Sequence, residues 1–125
     1  MSNTAPNKKY NLEERTALFG ENVIEFVNKT PKTITSTSLL KQLLRSGTSV
    51  GANYCEADCA ESRKDFMHKL GIAKKEAKES KHWFRMIAKA VPESATEARN
   101  LWKEANELQR IFIAIIRNSK ENEPK

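Results

Sequence analysis

Glycine and proline are scarce in this chain, four of each among 125 residues. That leaves too little turn chemistry for a sandwich of many short strands. With 38% hydrophobic and 30% charged residues, the composition fits a soluble, helix-rich protein. Cysteine is scarcer still. Cys55 and Cys59 stand four apart, a spacing that on a helix holds two side chains near one another without the geometry of a relaxed disulfide, so two reduced thiols are expected. His68 and His82 lie on another segment and form no zinc spacing with them, so no metal site is expected. The longest apolar run, Ile111 to Ile116, has six residues, against the roughly 20 that span a bilayer. Met1 to Lys9 is polar and lacks the apolar segment of a signal peptide. A cytoplasmic protein away from membranes is therefore expected. Serine nucleophile motifs and phosphate-binding glycine loops are missing as well, and the expectation is a protein with neither cofactor nor enzymatic activity.

A chain of this length suits one domain, and its apolar residues fall into four amphipathic segments. Asn11 with Glu14 three residues on reads as a helix start, and Pro31 closes the segment, which gives a helix over Leu12 to Lys29. The second runs from about Ser36 to Ala60, with Leu40, Leu43, Gly47, Val50, Tyr54 and Ala57 in a three-four rhythm. Ser62 caps the third, in which Phe66, Leu70, Ala73, Ala77, Ser80, Phe84, Ile87 and Val91 form the cleanest heptad of the chain. Pro92 suits the first turn of the fourth, whose apolar positions are Ala98, Leu101, Ala105, Leu108, Phe112 and Ile115. Short connections make successive helices antiparallel neighbours. The expected fold is all-α, an up-down-up-down four-helix bundle over residues 11–118, preceded by a flexible arm (1–10) and followed by a polar tail (119–125).

Two segments carry more apolar surface than one bundle seam needs. On a helical wheel the second helix presents an arc of roughly 160° that contains Gly47 and Gly51. Two glycines four residues apart in a helix interior each cost about 1 kcal/mol against alanine, which points to a neighbouring backbone that comes close. In the fourth helix Ile111, Phe112, Ile113, Ile115 and Ile116 surround the axis. Each such side chain left in water forfeits roughly 1.5–3 kcal/mol, so a homo-oligomer through the end of this helix is expected. The alternative is a cover supplied by the arm or the tail.

The net charge of +6 is unevenly distributed. Between Arg63 and Lys89 nine basic residues face three acidic ones, and the remainder of the chain is neutral. Lys74, Lys75, Lys78, Lys81, His82, Arg85 and Lys89 share an arc of about 120° beside the core stripe. Such a single-sign ridge is the footprint of a surface that meets phosphate backbones or an acidic protein. A merely solvated lysine face is the plainer reading. No aromatic interleaves the ridge, so RNA or DNA binding there is expected to be backbone-directed and salt-sensitive. Glu76 and Glu79 fall between Ile72 and Trp83, where part-buried carboxylates need a cation, and Arg45 or Lys69 is the expected partner. A hydrolase built on the two glutamates lacks any further reactive group.

Arg45-Ser-Gly-Thr-Ser-Val-Gly-Ala-Asn53, Glu56-Ala57, Asp65-Phe66, Lys69-Leu-Gly-Ile-Ala73 and Lys75-Glu-Ala-Lys-Glu79 with Trp83 resemble a known family. It is that of the small bacterial four-helix bundle proteins first found encoded in intervening sequences of the 23S ribosomal RNA gene. The resemblance implies an antiparallel bundle that assembles into a ring-like homopentamer. It extends to the accessory variability protein of diversity-generating retroelements, a basic pentamer that engages a reverse transcriptase and nucleic acid. The function expected is a non-enzymatic, oligomeric, nucleic-acid-associated protein; a scaffold for an acidic protein partner such as a reverse transcriptase is the alternative.

Overall fold

Side-chain caps set the helix starts. Asn11 accepts a hydrogen bond from the Glu14 amide at 3.3 Å and opens α1, Leu12–Lys29. Thr33 and Ser36 cap one another reciprocally, so α2 begins at Ile34 rather than at Ser36, and it ends at Asp58 rather than at Ala60. Ser62 accepts from the Asp65 amide at 3.0 Å and opens α3, Arg63–Ala90. Pro92 leads a single 3-10 turn, Pro92–Ser94, and not the first α turn expected of it; α4 follows as Ala95–Glu121. This computed structural model describes residues 11–121, and among the described residues there is no strand. The expected arm, residues 1–10, and the last four residues lie outside the described residues. Helix α4 runs past the expected domain end at 118.

The four helices pack as a bundle. Arg15 of α1 meets Glu104 of α4 while Lys29, a helix length later, meets Glu97. Arg45 of α2 meets Glu76 of α3 while Glu56 meets Lys69. In both pairs the contacts count upward along one helix and downward along the other. The core holds the heptad positions in order: Leu70, Ala73, Ala77, Ser80, Phe84 and Ile87 of α3 are all buried. Phe84 lies at its centre, edge-on to Phe19 and Phe26 of α1 with ring centroids 6.3 and 6.0 Å apart.

Helix α2 is approached closely from two sides. A Cβ built on Gly47 would lie 2.9 Å from both Val23 methyl carbons, and one on Gly51 would lie 3.3 Å from the Thr16 carbonyl oxygen. The close neighbour is thus α1 of the same chain, through the Val23 side chain at Gly47 and through the backbone at Gly51. On the opposite side Ser46 and Ser80, both fully buried, share a hydrogen bond at 2.9 Å. Ser80 also donates to the Glu76 carbonyl, so the α2–α3 seam closes around two small hydroxyls with no orphaned polar atom among the described residues.

Gly71 is the contrasting case, because nothing lies within 4 Å of its would-be Cβ. Val23 is β-branched and fully buried, and it cannot swing away from a methyl at position 47. Gly47→Ala is therefore expected to destabilise the protein by on the order of 1 kcal/mol despite the gain in helix propensity. Gly71→Ala is expected to stabilise it by about 0.5–1 kcal/mol. Urea unfolding of the two variants beside the wild type measures both signs.

Candidate nucleic-acid interface

Helix α3 lies between α2 and α4, and the strip it leaves to solvent carries the ridge. Lys75, Lys78, His82, Arg85 and Lys89 are exposed there, with Lys74 half-buried beside them. Among the described residues none of these five lysines and arginines pairs with a carboxylate.

Lys81 departs from the ridge. Its ammonium donates to Asn106 Oδ1 at 2.9 Å and Gln109 Oε1 at 2.8 Å on α4, and it lies 4.9 Å from the centroid of the Trp102 ring. Burial, then the neighbouring Lys78, pushes its pKa below the ordinary lysine value. A wheel projection places Lys81 with its neighbours but cannot show that α4 supplies two amide acceptors and an indole within reach of its stem.

The two glutamates are turned the other way, toward α2. Arg45 binds Glu76 at 3.2 Å and also binds Glu79, which accepts a further hydrogen bond from Trp83 Nε1 at 2.9 Å. Arg45 is the partner of both, whereas Lys69 pairs with Glu56. The two glutamates are half-buried, whereas Arg45, grouped with them as a buried polar residue on the sequence pattern, is exposed, because the network sits at the rim of the α2–α3 seam. With Glu76 and Glu79 engaged by Arg45, α3 presents cations on its other flank.

That flank borders a cleft of about 620 Å³ between α3 and α4. Trp102 and Ala88 form part of its wall, and Arg85, Lys89, Arg99 and Lys103 surround it, with no carboxylate in the lining. A cleft of similar volume at the other end of α3 is mixed in charge, with Asp58 and Glu61 beside Arg63. Sequence reasoning missed Trp102, Arg99 and Lys103. The i, i+4 spacing of Arg99 and Lys103 around Trp102 was the available signal, but it lies on a helix whose overall charge is balanced.

The apolar end of α4 needs a correction as well. Ile111 and Phe112 belong to the chain's own core, Phe112 being fully buried against Tyr54 of α2 at a centroid distance of 6.4 Å. Ile113, Ile115 and Ile116 are half-buried, the last two packed on that core. Helix α4 buries a wide arc because it packs beside both α3 and α1, with Phe112 reaching Tyr54 of α2 across the bundle. The large exposed apolar side chains are instead Leu18 and Ile24 on α1 and Ile34 and Leu44 on α2, with Ile34 96% exposed.

A family model described as 23S rRNA-intervening sequence protein matches residues 8–114. The chain is also similar to a protein with unknown function from the S23 ribosomal protein family of Bacteroides thetaiotaomicron, known from its crystal structure. The two are 32% identical, with a TM-score of 0.72 over 83% of this chain and 96% of that one. No curated protein matches. Among the described residues no helix is long and apolar enough to cross a membrane.

The Trp83 hydrogen bond first, and Arg45 next, hold the Glu79 carboxyl below its ordinary value of 4.5 against the opposing effect of burial. A carboxyl whose folded pKa is depressed stabilises the fold fully above its unfolded pKa, and that contribution disappears as pH falls through the folded value. Thermal unfolding followed downward in pH from about 5 is therefore expected to show a shallower acid loss in Glu79→Gln than in the wild type.

Proposed function

The chain belongs to the 23S rRNA-intervening sequence protein family, and from that premise we propose that it is a non-enzymatic, self-associating protein that binds RNA or DNA through α3. The observation that carries this reading is the ridge of exposed cations without carboxylate partners, Lys75, Lys78, Arg85 and Lys89, with half-buried Lys74 alongside. A helix whose Glu76 and Glu79 are held by Arg45 on one flank displays the opposite sign on the other, and phosphate oxygens are the acceptors such a surface fits. Lys81 stands behind the ridge as a positioning residue for Trp102.

Cations on one helix follow no groove pattern, so contact is to the backbone and tolerant of sequence. Self-association multiplies the ridge, and Leu18, Ile24 and Leu44 are exposed apolar side chains that it would cover. A homopentamer is the assembly that the family resemblance implies.

Lys75→Glu/Lys78→Glu is expected to lower affinity for random RNA and duplex DNA. The same variant flattens the dependence of log K on log salt by roughly 0.9 for each duplex phosphate that it no longer neutralises. Wild-type binding with no salt slope would exclude phosphate as the ligand and favour an acidic protein partner. Sedimentation at tens of micromolar checks the assembly: a species heavier than 14.2 kDa is expected, and a strict monomer would overturn it.

A further inference from the structure

The cleft between α3 and α4 combines three features that a plain basic helix lacks. It is concave, about 620 Å³, within the range that holds small organic ligands. Its cations come in two pairs, Arg85 and Lys89 on α3 and Arg99 and Lys103 on α4, each pair one helical turn or about 5.4 Å apart. Trp102 stands in the wall between them, so an aromatic surface is framed by positive charge on both sides.

The indole is also fixed in place. Lys81 lies over it at 4.9 Å and is itself anchored to Asn106 and Gln109, while part of the half-buried side chain packs on the core. A preset aromatic surface needs little further ordering when a flat ligand stacks on it, which raises affinity. Arg85 and Lys89 belong at once to the cleft and to the exposed ridge, so a strand whose phosphates follow the ridge reaches the cleft without a break.

We infer that this cleft takes an unpaired nucleobase, stacked on Trp102 with its flanking phosphates on Arg85, Lys89, Arg99 and Lys103, and that the protein prefers single-stranded to duplex nucleic acid. The inference rests on the phosphate-binding reading of the ridge and deepens it. A phosphate-only site would use the cations and leave the indole idle. In a duplex the bases are stacked on each other and do not offer a face to Trp102; in a single strand each base does, and such stacking is tolerant of sequence. An acidic polypeptide fits the charges equally well but brings no flat aromatic group to the wall between them.

The test titrates the full-length protein with an oligouridylate and with an RNA duplex of equal length, reading indole emission and the anisotropy of labelled nucleic acid. The oligouridylate is expected to quench the wild type but not Trp102→Leu, whose remaining indole is Trp83, and the duplex to leave the emission of both unchanged. Trp102→Leu is expected to weaken single-strand binding by a factor of roughly 5 to 150, far more than duplex binding. Trp102→Phe, which keeps an aromatic face, is expected to retain most of it. Because Trp102 also packs on the core, Arg99→Glu/Lys103→Glu on the exposed side of α4 is a second arm, expected to reduce single-strand more than duplex affinity. Equal single-strand and duplex binding, unmoved by any of these variants, would overturn the cleft and leave the ridge standing. Failure to bind either nucleic acid would remove both. Quenching by polyglutamate equal to that by oligouridylate would replace the nucleobase with an acidic polypeptide and overturn the inference.

Discussion

Helix α2 packs on two sides through small residues, against α1 at Gly47 and Gly51 and against α3 at Ser46. Small residues at these positions let the backbones come close, and the surrounding bulk then fills the remaining space: Val23 sits over Gly47, and Phe84 bridges to Phe19 and Phe26. The placement of α3 follows from that contact. With Ser80 docked on Ser46, Glu76 and Glu79 come within reach of Arg45, and the lysines at neighbouring positions are turned toward solvent and α4. The electrostatic asymmetry of α3 is thus a consequence of where its one buried hydroxyl is held.

Periodicity made the architecture legible. The heptad from Phe66 to Val91 is the buried stripe of α3 almost residue for residue, since the burial of a helix face is written in the positions that recur along it. The same logic failed where a residue's surroundings come from a different helix. Ile111 and Phe112 looked superfluous to one seam, yet both are buried in the chain's own core, where Phe112 reaches Tyr54 of α2. Lys81 projects beside Lys78 on a wheel, but amides and an indole on α4 draw it inward. Trp102, Arg99 and Lys103 converge on the α3 surface only through tertiary packing, which no single-helix pattern encodes. The exposed Leu18 and Ile24 fall off the α1 stripe and were hidden by its stronger rhythm.

The recognisable segment and the charged surface have separate roles. Arg45 to Asn53 is occupied with packing and local bonding: Ser46 and Gly47 make close contacts to neighbouring helices, and Ser49 and Asn53 hydrogen-bond within α2 itself. Family membership therefore speaks first to how the helices meet. The surface that could recognise another molecule is assembled from α3 and α4, where the chain sets cations around the Trp102 indole.

Because α3 is gripped by α2 along one flank and α4 along the other, its backbone has little freedom to adjust to whatever touches it. The spacing of the ridge is that of the helix, and only the tips of the lysine and arginine side chains can adapt. The conformational entropy lost on association must then be borne mainly by the partner. A flexible polymer can bend its own backbone to meet such a rigid row of charges; a stiff one meets it only where its own geometry already agrees.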